Sequence, residues 1–231
     1  MKNYRFDHVK QFLKEILFPE EVFCPHCHKL FTPDHPKSAE GLCSDCATDL
    51  RSIALDPSLV LTDLTDLTVA SAFPYEGIPR NMVLQLKHNS LASAGSSLVP
   101  FLVRTAETFF DPSPETVVTW IAMPPDRLRE RGIDHGRVLA EGVASTLGLE
   151  CRQLLDRLSG GHTQQGLNAV ERARNISGRF SIHSTPLPSN VLIVDDVLTT
   201  GSTVEECAAV LTRAGVTCIR ALTVCKVILN K

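Results

Sequence analysis

Two groups of residues in this 231-residue chain have types and spacings that could do chemistry. The first is Cys24-x2-Cys27 and Cys43-x2-Cys46, two pairs separated by fifteen residues. Each x2 pair lets two sulfurs converge on one ion, and two such pairs match the two-knuckle pattern of tetrahedral thiolate zinc. Four thiolates leave no open coordination position, so the ion, Zn²⁺, would be structural. His26, His28 and His35 lie inside the cluster, but the four cysteines already complete the shell. The surrounding stretch from Glu20 to Arg51 is poor in periodic hydrophobes, and a metal is the natural substitute for a side-chain core there.

The second group runs from Val191 to Thr203. Four consecutive aliphatics, Val191 to Val194, read as a strand buried on both faces. Asp195 and Asp196 follow, then Val197, Leu198 and the hydroxyl-rich loop Thr199-Thr200-Gly201-Ser202-Thr203, then a helical run from Val204. The backbone N–H groups of 200–203, the hydroxyls and the positive end of the helix dipole suit a phosphate monoester. Gly201 permits close backbone approach. The two carboxylates are misplaced for phosphate but suited to accept from a ribose diol. Phosphate beside diol implies a ribose 5-phosphate. Gly-Lys never occurs and no two glycines are separated by one residue, which excludes the Walker A loop and the dinucleotide fingerprint.

These groups need elements to position them. An apolar stripe of Val9, Phe12, Leu13, Ile16 and Leu17 predicts a short N-terminal helix ended by Pro19. Residues 1–55 are read as that helix plus the cysteine module, 56–68 as a connector and 69–231 as a second domain. In the second domain strands are expected near 69–73, 117–122, 151–155, 191–195 and 218–224. Helices are expected near 81–87, 98–110, 136–147 and 203–214. This alternation predicts an α/β fold with a mostly parallel sheet and helices on both faces. The long polar stretch 157–178 interrupts it and reads as a functional or mobile loop.

Arg127, Arg129 and Arg131, in a run that follows the strand expected at 117–122, open at the same sheet edge as the aspartates. Their guanidinium forks could hold pyrophosphate bidentately, although Asp126, Glu130 and Asp134 nearly balance the four arginines up to Arg137. Lys87, ending a helix, either reaches the site or complements the helix dipole. Cys151, Cys207, Cys218 and Cys225 lie in apolar runs and read as core packing. A net charge of −3 excludes a protein that coats nucleic acid by charge alone. No apolar run has the length of a membrane span and the N-terminus lacks a signal-peptide core, so a cytoplasmic protein without membrane insertion is expected.

The 191–203 run resembles the phosphoribosyl pyrophosphate (PRPP) motif of type I phosphoribosyltransferases. With the cysteines, the chain resembles the ComF (GntX) family, in which a small zinc-binding module is joined to such a domain. The likeness extends over nearly the whole chain: Leu17-Phe18-Pro19, the four cysteines, Tyr75-x-Gly77 with Leu86-Lys87, Pro124-Pro125 with Arg131-Gly132, Gln164-x-Gly166-Leu167 with Arg172 and Asn175, and the 191–203 run. It implies that PRPP or a ribose 5-phosphate nucleotide is held by Asp195, Asp196, Thr199 to Thr203, Arg127, Arg131 and Lys87. Mg²⁺ would accompany the ligand, and Asp195, Asp196 and Arg172, the last on a closing loop, would serve transfer of the phosphoribosyl group. Family members typically continue Arg-Gly-Phe-Asn-Gln, whereas this chain has Arg131-Gly132-Ile133-Asp134-His135. The resemblance also implies a role in natural competence and DNA uptake, through competence-machinery proteins more than direct single-stranded DNA contact. A nucleobase phosphoribosyltransferase of nucleotide salvage and a non-catalytic nucleotide sensor are the alternatives. Thr199, where hypoxanthine and guanine enzymes usually carry an acid, argues against that branch of salvage.

Overall fold

The computed structural model describes residues 22–53, 60–88, 91–158 and 179–228. The helix expected over 9–17 and the loop residues around Arg172 lie outside these. In chain order the elements are helix α1 (Ser44–Ser52), strands β1 (Leu61–Leu64) and β2 (Leu67–Pro74), helices α2 (Gly77–His88) and α3 (Ala92–Phe109), strand β3 (Val117–Trp120), helices α4 (Pro125–Arg131) and α5 (His135–Leu147), strands β4 (Glu150–Cys151), β5 (Leu155–Arg157), β6 (Phe180–Ile182) and β7 (Asn190–Leu198), helix α6 (Ser202–Arg213) and strand β8 (Cys218–Lys226).

Six strands form one sheet in the order β1-β2-β8-β7-β3-β4. Only the β1–β2 pair is antiparallel; β2–β8, β8–β7, β7–β3 and β3–β4 are parallel. All four residues of β3 and Val191 to Val194 of β7 are buried, as central strands covered on both faces must be. Leu192, Val194, Val118 and Trp120 share a core with α2, α3 and α5. Val191, Ile193 and Val117 share another with α6, Leu155 and Phe180. Helices therefore cover both faces, and the expected α/β architecture is found.

The polypeptide turns in opposite directions from the two central strands. From β3 it crosses through α5 to β4 on one side, and from β7 through α6 to β8 on the other. The sheet thus has a switch point between β3 and β7, and the crevice beyond their C-terminal ends is where an open α/β sheet binds ligands.

Three expectations need correction. The segment read as a connector supplies β1, an antiparallel edge strand joined to β2 by the turn at Thr65 and Asp66. The strand expected over 151–155 is broken: Cys151 ends β4, Leu154 N–H donates to Thr119 Oγ1, and Leu155 begins a separate hairpin with β6. The cysteine module shares its core with the sheet, since Cys24, Leu42, Cys43, Cys46 and Leu50 pack in the cluster that contains Met82, Val83 and Leu86 of α2.

Candidate functional site

Asp195 and Asp196 sit near the C-terminal end of β7, where neighbouring side chains leave on opposite faces of the sheet. Asp196 enters the face covered by α2 and α5. Its Oδ1 lies 2.7 Å from Lys87 Nζ, and its Oδ2 lies 2.7 Å from Nε2 of His135, the first residue of α5. The residue is 4% exposed. Burial alone would raise its carboxyl, but the contact with His135 and the charge of Lys87 hold it below the usual carboxylate range. Asp195 turns toward the α6 side, where its charge acts on the thiol of Cys207, and its Oδ1 accepts the Asp196 N–H at 2.9 Å. Burial, then the charge of Asp196, push the Asp195 carboxyl up to about 7. Adjacent in sequence, the pair is divided in environment.

Gly201 is the residue before α6, with φ of 84°, a left-handed conformation that glycine adopts without strain. A Cβ there would stand 2.8 Å from Leu64 Cδ1, so a larger residue would also have to displace the Leu64 side chain of the edge strand β1. Gly201, a glycine, has no capping side chain to offer, and the first N–H of α6, that of Ser202, donates to Thr200 Oγ1 at 3.4 Å. Thr200 Oγ1 lies 3.1 Å from Ser202 Oγ, and Thr199, Thr200 and Ser202 are on the surface or close to it. A helix N-terminus fringed with hydroxyls can receive an anion on the N–H groups that stay free.

Across the switch point, α4 follows β3 and carries Arg127, which is exposed, and Arg131, which is half-buried. The chain turns at Gly132, with φ of 77°, into Asp134. Asp134 caps α5 by accepting from the Arg137 N–H, and it also accepts from Trp120 Nε1 at 3.1 Å. Where the sequence departs from the Asn-Gln pattern, Asp134 therefore anchors the turn and His135 reaches Asp196. His135 is the site residue that sequence reasoning passed over; its only signal was that departure. Lys87, left ambiguous from sequence, belongs to the cluster.

The four sulfurs of Cys24, Cys27, Cys43 and Cys46 all lie within 4.8 Å of one another, and those of Cys27 and Cys43 are 3.8 Å apart. Sulfurs about 2.3 Å from a tetrahedral zinc would stand about 3.8 Å apart, so this donor set fits a metal ion. Burial and the neighbouring sulfurs push the Cys46 thiol up, whereas backbone N–H groups, those of Cys27 and Cys43 foremost, lower Cys24 in spite of its burial. Thiols this crowded ionise together only around a cation. Of the remaining cysteines, Cys207 and Cys225 are buried and Cys151 and Cys218 half-buried, in keeping with packing.

Residues 134–228, from the turn before α5 to the end of the sheet, match the phosphoribosyl transferase domain family. The chain is also similar to the DNA utilization protein YhgH of Salmonella typhi, 32% identical over 116 residues that make up 50% of this chain and 51% of that protein. With competence protein F of Haemophilus influenzae it is 32% identical over 90 residues, 37% of this chain and 39% of the relative. The chain thus spans about half the length, or less, of the curated relatives it matches. Among solved structures, adenine phosphoribosyltransferase from Leishmania tarentolae superimposes with a TM-score of 0.40 at 13% identity, covering 72% of this chain and 94% of that one. The Helicobacter pylori xanthine-guanine-hypoxanthine phosphoribosyltransferase gives 0.38 at 16% identity, covering 58% and 82%. Superpositions this loose leave the fold to rest on its own topology and on the domain match. The matched span begins at Asp134, so it takes in His135, both aspartates and the Thr199–Thr203 loop but not Lys87, Arg127 or Arg131. No helix among the described residues is long and apolar enough to cross a membrane.

Proposed function

We propose that the chain binds PRPP, or a ribose 5-phosphate nucleotide, in the crevice between β3 and β7, and that it serves in the handling of DNA taken up during competence. The observation that carries the ligand reading is the hydroxyl-fringed start of α6, with Gly201 in the left-handed conformation a few residues after Asp195 near the end of β7. In this reading the N–H groups and hydroxyls of Thr199, Thr200, Gly201, Ser202 and Thr203 hold the 5-phosphate, and Asp195 accepts from the ribose diol. Asp196 is engaged by Lys87 and His135 and acts through them. Lys87, Arg127, Arg131 and a Mg²⁺ ion meet the pyrophosphate, and Arg172 belongs to the loop that covers the ligand. Zn²⁺ on the four cysteines is structural. It keeps the module folded against α2 and takes no part in bond breaking.

In phosphoribosyl transfer the ribose C1–O bond to pyrophosphate breaks as an acceptor nitrogen attacks. Cationic groups beside the departing pyrophosphate and a carboxylate beside the cationic sugar lower that barrier. The competence role draws on the names of the relatives, DNA utilization protein and competence protein F. Asp126 and Glu130 interleave the arginines of α4, which favours a protein partner over a bare strand. Titration calorimetry with PRPP and Mg²⁺, followed by a pyrophosphate-release screen over nucleobases, tests the proposal. Absence of heat with PRPP and with ribose 5-phosphate nucleotides would end it. A second reading, ligand sensing without turnover, is favoured by the engagement of both Asp196 oxygens and predicts binding with no pyrophosphate released.

A further inference from the structure

Asp196 is a deeply buried carboxylate, and two basic side chains from different elements close on it as ion-pair contacts, that of His135 without the alignment of a hydrogen bond. Lys87 arrives from the last turn of α2, and His135 from the first turn of α5, each 2.7 Å from its own oxygen. A buried carboxylate is tolerated only when its charge and both oxygens are answered. With one donor gone, the carboxylate would turn toward the other or draw in water. Lys87 keeps 22% of its side-chain surface exposed, whereas His135 keeps 14% and Asp196 6%. The lysine thus stands at the mouth of the cluster and the imidazole farther in. His135 also opens a helix, where the dipole gives a histidine no electrostatic advantage, so its placement is explained by Asp196 and not by α5.

We propose that His135 is a positioning residue of the phosphoribosyl site: by holding Oδ2 of Asp196 it fixes Oδ1, and with it the place where the Lys87 ammonium meets the anionic ligand. This rests on the reading of the crevice as a PRPP site. The consequence is specific to this chain, because the position carries His where the resembling family typically carries Gln.

The test uses His135→Leu, His135→Asn and His135→Gln in the full chain, each also combined with Lys87→Met. Leucine offers no donor, asparagine is too short to reach Asp196, and glutamine brings an N–H of similar reach. His135→Leu and His135→Asn should weaken binding of magnesium PRPP by on the order of tenfold, the scale of one buried charged contact, while His135→Gln stays within about threefold of the parent. In the Lys87→Met background the same changes should add almost nothing, since the lysine they act through is gone. A second readout needs no ligand: with the carboxylate turned onto the lysine, mass spectrometry should show Lys87 acylated several-fold more slowly by a lysine reagent in His135→Asn than in the parent or in His135→Gln. His135→Asn and His135→Gln are polar and carry the test if His135→Leu does not fold. Equal affinity and equal Lys87 reactivity in parent and His135→Asn would overturn the proposal, as would a penalty undiminished by Lys87→Met. If the parent itself binds no PRPP, the ligand reading fails, and the Lys87 reactivity still decides whether His135 positions the lysine.

Discussion

Replacing Asp195 and Asp196 one at a time by asparagine, which keeps their shape, should move stability in opposite directions. Asp195 is raised to about 7 by burial and by its neighbour's charge, against about 3.9 for an ordinary aspartate. Between those values the folded chain holds a proton that the unfolded chain has released, so stability falls as pH rises through this window and stays lowered above it. The loss amounts to at most about 4 kcal/mol at 1.36 kcal/mol per pH unit. Asp195→Asn removes it: the variant should match the parent near pH ~4 and exceed it near pH ~8 by up to that amount. The amide oxygen can still accept the Asp196 N–H. Asp196 is held low, so its contribution is present above its unfolded value and lost on acidification through its folded one. Asp196→Asn strands Lys87 and His135 beside a neutral amide, and breaking a buried pair in this way costs about 3–5 kcal/mol near neutral pH. Urea denaturation across this pH range, followed by the fluorescence of Trp120, the single tryptophan, measures both. Because each variant is compared with the parent at the same pH, the titration of the cysteines cancels. A difference between Asp195→Asn and parent that does not change with pH, or an Asp196→Asn variant as stable as the parent at pH ~7, would refute the divided environment assigned to the pair.

The chain should carry one Zn²⁺, and Cys24→Ser should lose it together with the fold of the module, since structural zinc contributes about 10–16 kcal/mol in small modules. Elemental analysis showing no zinc in protein whose four thiols are reactive and whose module is folded would contradict this. Gly201→Val should abolish PRPP binding while zinc content stays at one per chain. Left-handed backbone costs a side chain about 1–2 kcal/mol, and the new Cβ meets Leu64, so pairing it with Leu64→Ala should restore stability in part but not affinity. Arg172→Ala should leave PRPP affinity nearly intact and lower pyrophosphate release where turnover exists. A DNA-utilisation phenotype that survives this change but fails in Asp195→Asn marks a binding module.

What the sequence made legible follows from how strongly each segment depends on its own residues. The run Val191 to Val194 could be nothing but a central strand, and its glycine-bearing continuation required a turn into a helix. Both are found, with β7 extended to Leu198. The sequence Leu61-Thr62-Asp63-Leu64 has only four residues of alternation at a sheet edge, and what makes it a strand is β2 lying beside it. The strand read as ending at Leu155 was hidden for a similar reason: a hydroxyl on β3, Thr119, draws the chain out of the sheet at Leu154. The opposed directions of Asp195 and Asp196 were implicit in the twofold period of a strand. Their partners were not, because Lys87 and His135 lie far from them in sequence and are brought in by two helices.

One contact on the far side of the sheet has a bearing on how such chains diversify. The Leu158 N–H donates to the Arg179 carbonyl at 2.9 Å, directly beyond the β5–β6 pairing, so the backbone is already closed on both sides of residues 159–178. Loop-closure entropy grows only with the logarithm of length, and doubling the intervening segment would cost about 0.6 kcal/mol. Insertions and deletions between those two residues are therefore nearly neutral for the sheet. This is a point in the chain where length can change without disturbing the framework that carries it.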